Sequence, residues 1–345
     1  MWRNPYTLHN PRVPTGNPKP PIDRNYRMHG AMLVAAILAA PVFTHAQNYP
    51  AKSVRVVSPY PPGSSADVIG RIYTPKLSEM LGRQFIVDNR AGAAGNLAGE
   101  IVAHAAPDGY TLLLLNTPLA SSQSLYKNLT FDVARDFQPI GMLGVAPHLL
   151  VVNLASPAKS VQELIALAKA RPGKLTYAST GTGGSLHLTM EMFKMQTGTD
   201  MLHVPYKGSA FTVPELIGGQ VDVLFGSIPA LLPHVKSGRI RALGVSSARR
   251  SAVVPDVPTI AESGLPGFES YTWLTLAGPA GTPRHIVKAL NAAIEKCVKS
   301  PDISNMLANQ STEASLMTPE ETAAYIRDEV VKWKKVATAA GVKGE

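Results

Sequence analysis

The sequence predicts a two-lobed α/β protein built on two doubly wound sheets that are joined by a two-crossing hinge. Three observations predict it: short Val/Ile/Leu runs alternate with helical patterns, the alternation occurs in two cycles, and one more strand follows the second cycle. Such βαβ alternation is typical of parallel sheets with helices on both faces. The 345 residues, 45% of them hydrophobic, suffice for two lobes without a disulfide or metal.

The first cycle contains three predicted strands and two predicted helices. Strands are predicted over residues 54–58, 85–87 and 111–115, and helices over 67–81 and 97–105. Each strand is a short apolar run, as expected where both faces of a sheet are covered. These elements predict the first lobe.

The second cycle is longer, and a final strand follows it. Strands over 149–152, 175–178, 201–204, 221–225 and 242–245 alternate with helices over 161–169, 186–197, 213–217 and 230–236. A strand over 273–277 then precedes two or three helices that end near residue 340. Because that strand follows a completed lobe, we expect it to return to the first sheet. The chain would cross between lobes near 145–149 and 268–272, as in hinged proteins that close on a ligand.

The N-terminus has the features of an export signal. An uncharged apolar stretch over 31–43 follows a basic segment and precedes a Thr-His-Ala tripeptide over 44–46, the pattern that signal peptidase cuts. About 13 apolar residues are too few for a bilayer core of roughly 30 Å, so a membrane anchor is the less favoured alternative. We therefore expect a signal peptide and leader over 1–46, with Met28 as an alternative start, and an exported protein that begins near Gln47.

The domain boundaries follow from the predicted crossings. Lobe 1 is predicted over 47–147 and 270–345, and lobe 2 over 148–269. Cys297 ends a series of apolar residues with the 3, 4, 3 spacing of a buried helix face, so it is predicted to lie in the core.

The charge is modest and widely spread. The sequence has 33 Lys and Arg against 24 Asp and Glu, a net charge of +9, and five basic residues against one Asp before residue 47 account for +4 of it. No Lys/Arg stripe with interleaved aromatics is present, which indicates no nucleic-acid partner. We expect a monomer with a small anionic ligand.

Three predicted strand-to-helix turns, over 61–67, 89–96 and 179–185, are rich in Gly and Ser. Free N–H groups in the first turn of a helix, together with the helix dipole, can bind an anion without a basic side chain. Two turns belong to the first lobe and one to the second, so a cleft between lobes is the expected site. The alternative is that these turns are ordinary helix caps, because Ser64 and Asp67 have capping-box spacing.

Signatures of catalysis are absent from the sequence. Gly181-Thr182-Gly183 begins a dinucleotide fingerprint but Leu186 stands at the third Gly, and neither a phosphate loop nor a Gly-x-Ser-x-Gly elbow occurs. The His residues after the leader never pair at helical spacing, so no metal site is expected. His187, just inside a helix, could donate to an anion or be an ordinary core or surface residue. We predict a binding protein without catalytic residues, metal or cofactor.

Seven motifs give the chain a family resemblance. They are Pro-Pro-Gly-x-x-x-Asp (61–67), Asn-Arg-x-Gly-x-x-Gly-Asn (89–96), Asp-Gly-Tyr-Thr-Leu-Leu (108–113), Tyr-Lys-Gly-Ser-Ala (206–210), Gly-Gly-Gln-Val-Asp (218–222), Ser-Gly-Arg-Ile-Arg-Ala-Leu-Gly-Val (237–245) and Pro-Asp-Val-Pro-Thr-Ile-Ala-Glu-Ser-Gly (255–264). In order and spacing the chain resembles the Bug-type receptors, the extracytoplasmic solute-binding proteins of tripartite tricarboxylate transporters, over about residues 49–341.

The resemblance implies a type II periplasmic-binding-protein fold, no catalysis, a carboxylated organic acid in the cleft and a membrane permease as partner. It implies ligand contacts by Tyr60, Gly63, Ser64, Ser65 and Asp67 in the first turn and Ala91, Gly92 and Gly95 in the second, with Ser179, Thr180, Gly181 and His187 facing them. The chain departs from the family pattern at Ser64, which replaces a Gly, and at Ala91, which replaces a Pro.

Two other function classes remain open at this level. The same binding module could serve a membrane signalling receptor, or an exported enzyme could act on an organic acid. Because Arg90 is the only basic residue in the three turns, we expect carboxylate capture by backbone N–H groups rather than by an arginine clamp.

Overall fold

The computed structural model describes residues 49–126 and 128–343, together with Gly16 and Pro18. All elements below lie within Asn48–Glu345. The predicted signal peptide and leader over 1–46 and the predicted start at Gln47 lie outside the described residues. Within the described part of the chain, no helix is both long enough and apolar enough to cross a membrane.

Strands and helices alternate along the chain as predicted. The described strands are β1 (Val54–Ser58), β2 (Phe85–Asn89), β3 (Thr111–Asn116), β4 (Phe137–Asn153), β5 (Thr176–Ser179), β6 (Leu202–Pro205), β7 (Val223–Ser227), β8 (Ile240–Val245) and β9 (Tyr271–Pro279). The described helices are α1 (Ser65–Leu81), α2 (Asn96–Ala103), α3 (Thr117–Leu125), α4 (Val161–Ala170), α5 (Ser185–Thr197), α6 (Ser209–Ile217), α7 (Ile228–Lys236), α8 (Arg284–Val298), α9 (Pro301–Asn309) and α10 (Pro319–Ala339). A 3₁₀ turn over Ala93–Gly95 precedes α2.

The first sheet has the order β2-β1-β3-β9-β4. Strand β1 pairs in parallel with β2 and β3, and β9 pairs antiparallel with β3 and β4. The last strand therefore returns to the first sheet, as predicted.

Strand β4 runs through both sheets. Its residues from Phe137 to Pro147 pair with β9, and those from His148 to Asn153 lie between β7 and β8. The second sheet continues from β7 to β5 and β6 in parallel pairs. The second crossing lies beside the first, because Ser270 N–H donates to the Ser246 carbonyl and Ser246 N–H to the His148 carbonyl, each at 2.9 Å.

The sheets are mixed, whereas the βαβ pattern predicted parallel ones. Strand β4 carries the chain from the first sheet to the second and β9 carries it back, so the two crossing strands run in opposite directions side by side. Their neighbours consequently include antiparallel partners. The expectation of purely parallel sheets is wrong at these two strands.

Alternate residues of each central strand belong to different cores. Val56 and Leu114 lie in a core with α1 and α8, whereas Val57 and Leu115 lie in a core with α2 and α3. Leu150 and Leu149 divide in the same way in the second sheet. Since successive strand residues point to opposite faces, both faces of each sheet are buried. This explains the continuous apolar runs in the sequence.

Helix α10 contributes to the cores of both sheets. Ile326 packs in a core of the first sheet, and Trp333 in a core of the second. Between them, the buried Glu329 carboxylate accepts from Trp273 Nε1 at 2.8 Å and Trp333 Nε1 at 2.9 Å. The predicted domain boundaries, with lobe 1 over 47–147 and 270–345 and lobe 2 over 148–269, stay a prediction.

Two elements were not predicted from sequence. Helix α3 contains Pro118 and three serines, which have little helix propensity, and its residues are largely buried. The part of β4 that pairs with β9, from Phe137 to Pro147, contains two prolines and two glycines, which normally break strands. It forms the edge of the first sheet, where proline is tolerated. Cys297 is fully buried, as predicted, and burial raises its thiol pKa to about 11.

Candidate functional site

The first Gly-rich turn is organised around Asp67. This carboxylate is only 2% exposed. It accepts the Gly63 N–H at 2.9 Å, Arg71 Nε at 3.0 Å and Asn89 Nδ2 at 2.9 Å. Burial opposes ionisation of Asp67, but these hydrogen bonds outweigh it and lower the pKa of the carboxyl. Asp67 therefore acts as an internal anion that holds the turn.

The same contacts decide which N–H groups of the turn are free. The Gly63 N–H is engaged by Asp67, and the Asp67 N–H donates to Ser64 Oγ at 3.4 Å. Those bonds fit the capping alternative. The N–H groups of Ser65 and Ala66, the first two residues of α1, have no acceptor among the described residues. Donation to an anion is thus available from Ser65 and Ala66, and Gly63 supports the turn.

The second turn packs against the first through Tyr60. Gly95 has φ of 97°, and a Cβ at this position would lie 3.1 Å from Pro59 Cβ and 3.5 Å from the Tyr60 ring. Only glycine adopts this positive φ and fits this close to Pro59 and Tyr60 without strain. Ala91 and Gly92 are exposed. Tyr60 is largely enclosed; burial raises its pKa to about 12, although a hydrogen bond with Asn116 partly offsets the effect.

Ala94 is an exposed residue with φ of 55°, in the left-handed region. This conformation costs an L-residue about 1–2 kcal/mol, and glycine avoids that cost. Glycine also increases the conformational entropy of the unfolded chain, which lowers stability by about 0.4–1 kcal/mol. We expect Ala94→Gly to raise the free energy of unfolding by about 0.5–1 kcal/mol and Ala94→Val to lower it, as measured by urea denaturation. A destabilised Gly variant would show that the turn is not strained at this residue.

A cavity of about 130 Å³ lies beside the first turn and the two crossing strands. We call it the hinge cavity; it is lined by Tyr60, Ser65, Ala66, Ile69, Asn116, Pro118, Gly144, Ala146, Thr272, Trp273, Leu274 and Thr312. None of these described lining residues carries a charged side chain. An anion in the hinge cavity would therefore depend on N–H groups, hydroxyls and the Asn116 amide.

The third turn is held from behind by buried side chains. Ser179 Oγ accepts the Gly181 N–H at 3.2 Å and lies 2.7 Å from His203 Nε2. The Gly183 N–H donates to His187 Nδ1 at 2.9 Å. Ser179 and His187 are almost fully buried, whereas Thr180 and Gly181 are partly exposed. The Ser179 and His203 side chains form a structural contact, since Ser179 is enclosed and already bonded to its own turn.

The start of α5 is connected to the hinge cavity. Ser185 Oγ lies 3.1 Å from Thr272 Oγ1, which also lies 2.9 Å from His148 Nε2. His148 Nδ1 lies 3.3 Å from Thr189 Oγ1. His148 is fully enclosed, and burial together with the charge of Lys332 lowers its pKa to about 3. Neutral His148 therefore joins the first crossing strand, the second crossing strand and α5.

Of the predicted contact residues, Tyr60 and Ser65 line the hinge cavity. Gly63, Ser64 and Asp67 support the first turn; Gly95 packs behind Tyr60, and Ala91 and Gly92 lie on the exposed second turn. Ser179 and His187 lie behind the third turn, and Thr180 and Gly181 lie on it. The predicted roles of these residues in ligand binding stay predictions.

Asn116 and Thr272 were missed by the sequence analysis. Asn116 ends β3 and caps α3 by accepting the Leu119 N–H at 3.3 Å. A polar residue followed by Thr-Pro at the end of an apolar run is a helix-start signal at a sheet edge where ligands bind. Thr272 had no such signal, because only the crossing of β9 brings it to the cavity. Within the described residues, no three His, Cys, Asp or Glu side chains are placed to hold a metal ion.

Comparison with known proteins gives consistent matches. A family model described as the tripartite tricarboxylate transporter family receptor matches residues 69–342. BugT of Bordetella pertussis is 38% identical over 316 residues, which cover 91% of this chain and 96% of BugT.

Two solved structures extend the likeness to the fold. Rpa4515 of R. palustris with adipate has 35% identity and a TM-score of 0.73, covering 86% of this chain and 99% of that one. MatC of Rhodopseudomonas palustris with bound malate has 30% identity and a TM-score of 0.70, covering 84% and 99%. The predicted two-lobed type II fold is confirmed by these likenesses, and the matched proteins are solute-binding receptors, not enzymes.

Proposed function

Because this chain belongs to the tripartite tricarboxylate transporter receptor family, we propose that it is a periplasmic receptor that captures a carboxylated organic acid between its lobes. It would deliver the acid to the membrane permease of a tripartite transporter. The family supports the receptor class, and the neighbours with adipate and malate support the ligand class.

The observation that carries the proposal is the free pair of N–H groups at the start of α1. Ser65 and Ala66 both line the hinge cavity, and their N–H groups have no acceptor among the described residues. The 17-residue helix adds the partial positive charge of its dipole at this end. A carboxylate placed here would receive two hydrogen bonds without a basic side chain.

The proposal is tested by identifying what the protein binds. The protein exported from a bacterial host is purified without added acids, and native mass spectrometry identifies any retained small molecule. Titration calorimetry then measures adipate, malate and citrate against neutral analogues of similar size. Binding of at least one carboxylate, with a fall in radius of gyration by small-angle scattering, is expected. A protein that binds none of them, or that retains a neutral solute, would contradict the proposal.

We expect Ser65→Pro to weaken carboxylate binding about 10- to 100-fold, because it removes one N–H donor to a charged group. Proline is well tolerated at the first position of a helix, and α9 and α10 of this chain begin with Pro301 and Pro319. Ser65→Ala is the matched control: it removes the hydroxyl and keeps the N–H. Equal affinities of these two variants, measured by calorimetry, would show that this N–H does not bind the ligand.

A further inference from the structure

Two histidine rings are stacked behind the third turn. The ring centroids of His187 on α5 and His203 on β6 are 3.8 Å apart and their planes differ by 10°. The Tyr177 ring of β5 stacks on His203 at 4.9 Å. We call His187 and His203 the imidazole pair. Three elements of the second lobe thus meet at one stack of rings.

The imidazole pair is bonded to the backbone of the turn at two points. His187 accepts the Gly183 N–H directly at 2.9 Å. His203 acts through Ser179, whose Oγ lies 2.7 Å from His203 Nε2 and accepts the Gly181 N–H at 3.2 Å. Gly181 and Gly183 have φ of 138° and 77°. These conformations are not part of a helix or strand, and the side-chain contacts hold them together with one backbone hydrogen bond, from the Gly184 N–H to the Gly181 carbonyl at 3.4 Å.

The surroundings of the pair disfavour a proton on it. Glu191 accepts from Tyr177 and from Lys194, the latter at 2.8 Å, and lies 3.9 Å from His187 Nε2. On α10, which also packs on α5, Lys332 pairs with Glu329. Burial, the second imidazole and the Lys194 charge lower the pKa of His187 to about 3, and burial lowers that of His203. A neutral His187 leaves Nδ1 free to accept a hydrogen bond.

We propose that His187, supported by His203, is a positioning residue that holds the third turn in its ligand-binding conformation by accepting the Gly183 N–H. This inference rests on the proposed function and reassigns His187 from ligand contact to support. The turn leads into α5, whose first residue Ser185 contacts Thr272 at the hinge cavity. A displaced Gly183 would therefore move the second-lobe side of the cleft.

The test compares two amides at position 187. His187→Asn places an amide oxygen near the position of Nδ1 and keeps an acceptor for Gly183, whereas His187→Gln places its amide near the position of Nε2. We expect His187→Gln to weaken binding at least tenfold and His187→Asn to stay within about threefold of wild type, measured by calorimetry with adipate, malate and citrate. His285→Gln, at an exposed position on α8, is the control.

The outcomes separate the two proposals. Wild-type protein that binds none of the carboxylates overturns the proposed function, and this inference with it. Wild-type binding with equal affinities for the Gln and Asn variants overturns the positioning role alone. If the Gln variant does not fold, loss of affinity in a folded Asn variant overturns it. Imidazole nitrogen NMR gives a second readout: a proton on Nδ1 of His187 between pH 5 and 8, instead of on Nε2, would also overturn it.

Discussion

The free energy of unfolding is expected to fall by about 2.4 kcal/mol from pH 6 to pH 5, because two imidazoles are buried in the neutral form. His148 and His187 each have a pKa lowered to about 3, in both cases chiefly by burial. In the unfolded chain both would have a pKa near 6.5. The unfolded state therefore binds about two more protons than the folded state in this range.

The sign follows from that difference in bound protons. The free energy of unfolding keeps the contribution of these imidazoles above about pH 6.5. It decreases as the pH falls toward 3, since only the unfolded chain takes up the protons. The lowered pKa of His203 acts in the same direction. Carboxyl groups contribute mainly below pH 5, so the interval above it isolates the histidines.

The measurement is urea denaturation at half-unit steps from pH 7 to 5. His148→Gln is expected to reduce the change from pH 6 to pH 5 by about 1.2 kcal/mol, because it removes one titrating group. The exposed His285 gives the control variant His285→Gln, for which the slope of the wild type is expected. A wild-type stability that does not change between pH 6.5 and 5 would show that these imidazoles are accessible to protons in the folded state.

Asp67→Ala is expected to lower the free energy of unfolding by roughly 3 kcal/mol and to abolish measurable carboxylate binding. The substitution removes the carboxylate acceptor of the Gly63 N–H and of the Asn89 amide, which keeps the Tyr60 carbonyl as its other acceptor, and each hydrogen bond to a charged group contributes about 1.5–3 kcal/mol. The exposed Arg71 adds little. Binding is lost because the turn that carries Ser65 and Ala66 is no longer fixed.

The control for Asp67 lies on the same helix. Glu79 pairs with Lys76 at the surface of α1, so Glu79→Ala removes a carboxylate without exposing a buried donor. Little change in unfolding midpoint is expected for it. Thermal unfolding and calorimetry on both variants check the prediction. An Asp67→Ala protein with wild-type affinity would mean that the first turn is positioned by other contacts.

The unit of the fold that could be predicted from sequence is the single strand-helix repeat. Apolar runs such as Leu112–Leu115 in β3 are buried on both faces, and this burial is why they contain no polar alternation. Helix α3 and the first half of β4 could not be predicted, because serine, proline and glycine there are stabilised by burial and by an edge position. The helix and strand propensities of single residues do not indicate whether a segment will be buried or will lie at the edge of a sheet.

The sequence predicted which turns form the candidate site, but not which atoms in them are free to bind a ligand. Three Gly-rich turns before helices indicated anion-binding N–H groups, and the family resemblance indicated the receptor class. Which N–H groups are free depends on residues far away in sequence: Asn89 comes to Asp67 from β2 and helps to make it an internal anion, so Gly63 is engaged and Ser65 is not.

The sequence by itself determined the two α/β cycles and the returning last strand, and it predicted a neutral, N–H-rich anion site, because periodicity and glycine content are local properties. Only the tertiary structure decided that β4 and β9 are antiparallel crossing strands, that Asn116 and Thr272 reach the hinge cavity, and that His203 contacts Ser179 inside the second lobe. Those facts depend on contacts between segments tens of residues apart. A hydrogen-bond acceptor can be assigned to such a donor only when the packing that brings them together is known.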